Sequence, residues 1–234
     1  PARCLRIARA IVAGKLRNQR FVLRRHGQAQ RIPLRPARLL LARAVERTEM
    51  AANLDWLRGI EGAGARAYFA ALGMLLPPCA SFSTRSRRPP RDLGNALLSY
   101  GYAVLLTECV LAIRSQGLDP ALGCLHQPHH DQPALALDLM EEFRPLVVDA
   151  AVLDLTRHGR ITAQDGSDDE QGGIRLGAGA RSLLIQAVES RLATPRTLPG
   201  TAQPLSLRAL LRRQARLVRE ALCGRAAFIP LPLP

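Results

Sequence analysis

The chain is nearly without lysine. Of its 33 basic residues only Lys15 is a lysine; the others are arginine. Acidic residues are scarce beside them, 19 in all, which leaves a formal net charge of +14. That balance points to an anionic partner, DNA or RNA, because the planar fork of arginine suits phosphate oxygens. A GC-rich genome would also convert lysine to arginine. Aromatic residues make up only 4% of the chain, so the core has to be built from Leu, Ala, Val and Ile, the first two of which favour helix. The five cysteines (Cys4, Cys79, Cys109, Cys124 and Cys223) are odd in number and form no CxxC pair. This excludes a structural zinc knuckle and fits a reducing compartment. No signal-peptide pattern opens the chain and no repeat period runs through it. It begins Pro-Ala-Arg, which reads as part of something longer. One apolar run, 96–113, approaches the length of a membrane span. It carries Ser99, Thr107, Glu108 and two tyrosines and has arginines beyond both ends, so a buried central helix is expected and no membrane partner.

What is present is enough apolar sequence, 47% of 234 residues, for a self-supporting core. Helical spacing places Leu5, Ala8, Val12, Leu16 and Leu23 on one face of a helix over 2–28, interrupted by Gln19. Further helices are expected at 37–54, 54–76, 91–116, 134–156, 178–193 and 205–223. Pro77-Pro78 and Gly117 act as stops, and Pro145 should kink the long helix of 134–156. An acidic, Gly-rich turn between 160 and 176 predicts a short β-hairpin or a disordered loop. The class is mainly α: a helical domain over 1–223, then a Pro-rich extended tail over 224–234. The first 50 residues hold thirteen basic and two acidic side chains, so the positive charge is concentrated at that end.

Four places carry candidate chemistry. Glu61 falls on a seam with Leu54, Leu57, Gly64, Tyr68, Ala71 and Leu75, where a core residue belongs. A buried carboxylate there needs a partner, a proton or a metal; a partly exposed Glu near the helix start is the plainer reading. Gly59, Gly62 and Gly64 around it would let a ligand or a DNA backbone come close. Asp138 and Glu141, three residues apart, share a helix face and interrupt an apolar run. Such a pair attracts a hard divalent cation, or forms a solvated stripe with Arg144 as ion-pair partner. His126 follows a tight loop, and His129, His130 and Asp131 come next. These read either as a surface cluster or as the zinc site of a hydrolase. Arg85, Arg87, Arg88 and Arg91 form a basic loop suited to a phosphate backbone or simply to solvent. Asn95, Tyr100 and Tyr102 beyond it either orient groups or pack.

Taken in order, several segments resemble one family. They are Gly14-Lys15-Leu16-Arg17-Asn18-Gln19-Arg20, Ile60-Glu61-Gly62 with Ala65-Arg66 and Tyr68-Phe69, and Arg88-Pro89-Pro90-Arg91-Asp92 with Asn95 to Tyr102. Gly117 to His126 and Leu137-Asp138-Leu139-Met140-Glu141-Glu142-Phe143-Arg144-Pro145 complete the set. The chain resembles the CRISPR-associated integrase, the catalytic protein of spacer acquisition, from the first helix to about residue 193. The resemblance implies a divalent metal, Mg²⁺ or Mn²⁺, on Glu61, His126 and Glu141. Asp138 becomes a further acid, a ligand or a support to one. It implies that a DNA 3′-hydroxyl attacks a phosphodiester at a CRISPR repeat, with nuclease activity related to it. Arg85, Arg87, Arg88 and Arg91, with Lys15, Arg17 and Arg20, would contact DNA, both the spacer precursor and the repeat. His129 and His130 match nothing in the motifs. A small adaptation partner protein is implied, with the tail a candidate strand for it, and a cytoplasmic prokaryotic setting. The family's homodimer rests largely on a β-rich N-terminal domain that has no counterpart in these residues. A basic helical nucleic-acid-binding module with a dead site is the rival reading.

Overall fold

Asn53, Asp92 and Ser206 each stand just before a helix, and each side chain accepts a backbone N–H of the first turn (Trp56, 2.8 Å; Asn95, 2.7 Å; Ala209, 3.1 Å). These caps satisfy donors that a helix cannot pair internally. The computed structural model describes residues 2–127, 132–197 and 203–231, and the side chain of Arg196 is not among what it describes. Among the described residues the helices are α1 (Ala2–Gln30), α2 (Arg35–Met50), α3 (Leu54–Leu75), α4 (Leu93–Arg114), α5 (Ala134–Arg144), α6 (Ala150–Arg157), α7 (Ala178–Ala193) and α8 (Leu207–Leu222). The mainly α class is as the sequence predicts.

Pro145 does not break the helix of 134–156. Residues Pro145–Asp149 make a π turn between α5 and α6. Proline lacks the N–H for an i→i−4 bond, and the wider turn accommodates the loss. The hairpin between 160 and 176 forms as β1 (Gly166–Asp168) paired antiparallel with β2 (Ile174–Leu176). Asp169 Oδ1 closes its turn by accepting from the N–H groups of Gln171 (2.9 Å) and Gly173 (2.7 Å). A second antiparallel pair, β3 (Pro195–Arg196) with β4 (Leu205–Ser206), leads into α8.

Helix α1 lies along α2, α3 and α5, while α4 packs on α5, α7 and α8. One contiguous apolar core joins them, from Ile7, Ile11, Leu16 and Leu23 of α1 to Leu97, Leu98 and Leu105 of α4 and Phe143 of α5. Helix α4 is long and apolar enough to cross a membrane. Here Leu97, Leu98, Leu105 and Ile113 are core residues, and Glu108 pairs with Arg208 of α8 at 3.0 Å. Two glycines let α1 and its neighbours approach closely. A Cβ on Gly64 would stand 2.5 Å from Leu16 Cδ2, and one on Gly14 would stand 2.5 Å from Glu142 Oε1 and 2.7 Å from Pro230 Cβ. The first brings α1 onto α3; the second lets α5 and the chain end close on α1. Residues 228–231 run without helix or strand, with Phe228 and Leu231 buried in the same core.

Candidate functional site

Four segments that are distant in sequence meet where α1, α3 and α5 converge. Helix α1 brings Lys15, α3 brings Glu61, the loop before α5 brings His126, and α5 brings Asp138, Glu141 and Arg144. The Lys15 ammonium touches Glu61 Oε1 and stands 2.7 Å from Glu141 Oε2. Arg144 Nη1 holds the other oxygen, Glu141 Oε1, at 3.1 Å. His126 Nε2 faces that same oxygen from 3.8 Å. Glu61 is the open edge of the cluster, with 26% of its side chain exposed against 3% for Glu141. Glu61 is therefore at the rim of the α3 seam, not in the core.

Asp138 is fully buried and has no oxygen to spare. Its Oδ2 accepts the N–H groups of Cys124 (2.6 Å) and Leu125 (2.9 Å), and its Oδ1 accepts the N–H of His126 (2.9 Å) and pairs with His126 Nδ1 (2.7 Å). It acts by fixing the loop and the imidazole, leaving Nε2 to face the site. Arg58, one turn before Glu61, donates to Leu125 O at 2.9 Å. The glutamate and the histidine are thereby tied to each other through α3.

Charge sets the protonation of this cluster. Burial pushes the Glu141 carboxyl up, but Arg144, Lys15 and His126 outweigh it and hold the group down at about 2. Burial pulls Lys15 down, and Glu141 and Glu61 reverse this, so the ammonium is held above its ordinary value. Glu141 thus stays ionised at neutral pH. Three acidic side chains, Glu61, Asp138 and Glu141, meet the fixed cations Lys15 and Arg144 and the imidazole of His126.

The donor set suits a hard divalent cation. Among the described residues Glu141 Oε2 has no hydrogen-bond partner, with the Lys15 ammonium beside it at 2.7 Å. His126 presents one nitrogen, its other being held by a carboxylate. Glu61 opens to solvent. Among the described residues, no group of three or more His, Cys, Asp or Glu is already drawn together at metal-binding distances. Lys15 stands between the two glutamates.

Two residues expected on DNA lie elsewhere. Lys15 is 5% exposed and belongs to the carboxylate cluster, so it does not face a phosphate backbone. Its two ion pairs offset the cost of burying the ammonium. Arg85 is turned inward, donating to Asn95 Oδ1 (2.7 Å) and Ser99 Oγ (2.9 Å) and lying over the rings of Phe69 and Tyr102. It pins the loop to α4. Arg87, Arg88 and Arg91 are exposed, as are Arg17 and Arg20 of α1. The three glycines also divide. A Cβ on Gly59 would meet nothing and one on Gly62 only the tip of Arg66, while Gly64 is packed. His129, His130 and Asp131 lie outside the described residues. Asn95 is buried and bonds Asp92 and Thr84.

A second polar cluster lies behind the first and was not foreseen. Tyr68 and Tyr102 both donate to the buried Asp149, each at 2.6 Å. Burial pushes the Asp149 carboxyl up to about 6 despite these bonds. Arg144 connects the clusters, its guanidinium lying 4.8 Å over the Tyr102 ring while it holds Glu141. Periodicity could have placed Asp149 among the apolar residues around it, but not its two tyrosine partners.

Fold and site define a helical protein built around a carboxylate and histidine centre. The family model described as CRISPR associated protein Cas1 matches residues 1–190. A CRISPR-associated endonuclease Cas1 of Thermus thermophilus is 44% identical over 233 residues, 98% of this chain and 70% of that protein. Among solved structures, a casposase bound to integration product superposes with a TM-score of 0.85 at 25% identity, covering 97% of this chain and 63% of that one. A partial Cas6-RT-Cas1–Cas2 complex superposes with a TM-score of 0.85 at 30% identity, covering 100% of this chain and 70% of that one. The chain belongs to the Cas1 family. It spans roughly two thirds of the length of these relatives.

Proposed function

We propose that this chain is the active-site part of an integrase and endonuclease of CRISPR adaptation. It joins the 3′-hydroxyl of a spacer DNA to a phosphodiester at the CRISPR repeat by transesterification. The observation that carries this reading is that Glu61, Glu141 and a pre-oriented His126 Nε2 line one cluster, with the Lys15 ammonium between the two glutamates. Its support is the 44% identity to a protein named as an endonuclease and the likeness to a casposase bound to integration product. Glu61, Glu141 and His126 would hold Mg²⁺ or Mn²⁺, which when bound polarises phosphate oxygens and stabilises the attacking or leaving oxygen.

The protein's own residues prepare that step. Asp138 and Arg58 lock the loop so that His126 needs no reordering. Arg144 keeps Glu141 ionised and fixed in direction. In the reaction the attacking oxygen forms a bond to phosphorus as the bond from phosphorus to the 3′-oxygen of the preceding nucleotide of the target strand breaks, and that oxygen leaves as a 3′-hydroxyl. The number of phosphodiesters is conserved, so no nucleotide cofactor is required. Exposed Arg87, Arg88, Arg91, Arg17 and Arg20 position strands through phosphate contacts, so affinity falls steeply with salt. DNA and a small partner of the Cas2 kind are the proposed partners, in the cytoplasm of a prokaryotic cell.

The test is strand transfer on a branched DNA with Mn²⁺, with EDTA, and with Glu141→Ala. Joined product that requires both the metal and Glu141 supports the reading. DNA binding without product under every condition would favour the inactive binding module.

A further inference from the structure

Lys15 is the only lysine of a chain that uses arginine at every other basic position, and it is the basic residue placed between two carboxylates of the candidate site. The structure shows why a lysine fits there. Its compact ammonium touches Glu61 Oε1 on one side and reaches Glu141 Oε2 at 2.7 Å on the other. A planar guanidinium could not enter between them without pushing the helices apart. Gly64 lets Leu16 of α1, the next residue along, sink onto α3, and so brings the lysine stem to Glu61. Gly14, on the other flank, lets α1 close against Glu142 and Pro230.

Without a cation between them, Glu61 and Glu141 would repel each other, and Glu141 could not escape into water because it is buried. Arg144 is committed to Glu141 Oε1 and leaves Oε2 uncovered. We propose that Lys15 is the resident counter-cation of the site: its ammonium holds Glu61 and Glu141 together while no divalent ion is bound, and it competes with that ion for the same two oxygens. The second half rests on the metal reading above; the first stands without it. The flexible four-carbon stem of lysine lets the ammonium withdraw when a divalent ion arrives, whereas a forked guanidinium would hold its place. The site is thereby kept assembled before metal binds, at the cost of a weaker grip on the metal. Lys15 is in this sense a positioning residue.

The experiment compares the 234-residue chain with its Lys15→Met variant, which keeps the stem and removes the charge. In EDTA the variant should melt roughly ten degrees lower, since one partner of a buried charge cluster is gone. In Mn²⁺ titrations followed by water-proton relaxation it should bind the ion about tenfold more tightly than the parent, because no competing cation has to leave. A third readout needs no variant. Lys15 carries the only ε-amine, so its acylation followed by mass spectrometry reports a single site, and Mg²⁺ should speed that acylation in the parent chain. Equal melting in EDTA overturns the holding role. Equal or weaker Mn²⁺ binding by the variant, or acylation indifferent to Mg²⁺, overturns the competition. Failure of both proteins to bind Mn²⁺ sinks the metal reading and the competition with it, while the EDTA melts still decide the holding role. If the variant does not fold, the acylation rate of the parent decides the competition.

Discussion

Glu141 and Glu142 are neighbours on α5, both buried, and are held in opposite protonation states. Glu141 faces α1 and the histidine loop, where Lys15 and Arg144 meet it, and its carboxyl is held down at about 2. Glu142 points to the other side of α1. There Gln214 Nε2 donates to its Oε2 at 2.8 Å and the N–H of Leu231 does so more weakly at 3.4 Å. Among the described residues its Oε1 has no hydrogen-bond partner, and burial pushes this carboxyl up to about 8. Burial is the same for both; the partner differs. Cations keep one carboxylate an anion, and amides leave the other a neutral packing group that anchors the chain end. A step of 100° around the helix separates the two roles.

Glu141→Gln should break the contrast most severely. Strand transfer on branched DNA should fall by about 10³-fold or more, to background. The variant should also lose roughly 3 kcal/mol of stability, because Lys15 and Arg144 would be left buried against a neutral amide. Urea unfolding would read that loss, and an unchanged midpoint would mean that the two cations find other partners.

Asp149 extends the comparison to a third buried acid. It binds its proton more tightly folded, at about 6 against an ordinary 3.8. Its contribution to stability is full below pH 4 and is lost as pH rises through 6, roughly 3 kcal/mol in all. The buried His26 runs the opposite way, because burial lowers it from 6.5 to about 4. Its contribution is full above pH 6.5 and is lost as pH falls through 4, so the two slopes oppose between pH 4 and 6. Asp149→Asn removes only the first. Its stability relative to the parent should therefore rise by about 3 kcal/mol between pH 4 and 7, read from urea midpoints across that range. A difference that stays flat with pH would mean that Asp149 is already ionised when folded.

Gly14→Ala probes the wall between the two glutamates. A methyl group 2.5 Å from Glu142 Oε1 and 2.7 Å from Pro230 should displace the chain end and cost about 2 kcal/mol. A thermal melt checks this. The smallest effect belongs to Glu142→Gln, which copies the shape of the protonated acid. At pH 4, where the carboxyl is protonated folded and unfolded alike, it should move stability by no more than about 0.5 kcal/mol, and at pH 7 it should leave strand transfer intact. A large loss of activity would show that Glu142 belongs to the reacting centre.

Much of this was legible in the chain. The helices beginning near 54 and 91 and the stops at Pro77-Pro78 and Gly117 could be read because proline and glycine act on their own turn of backbone, whereas the caps Asn53 and Asp92 were not singled out. Glu61 and Glu141 stood out as charges at apolar positions, and His126 through the motif around it. Three other residues were misread or missed. Lys15 looked like one more basic residue of a basic helix, and only its singularity as a lysine hinted otherwise. Arg85 looked like its neighbours Arg87, Arg88 and Arg91, since nothing local distinguishes an arginine over two rings from one in water. Asp149 lay within an apolar run, and its partners Tyr68 and Tyr102 sit on two other helices.

The candidate ligands were named by the resemblance of the motifs around them, whereas helical class and the basic surface follow from short-range rules. Capping, proline geometry and the 3.6-residue period act within a turn or two, so local sequence suffices for them. Which cation meets which carboxylate does not follow from such rules. That was settled when Gly64 and Gly14 let α1 close on α3 and α5. Coulomb energies depend on distance and burial, and those distances exist only once the helices have packed.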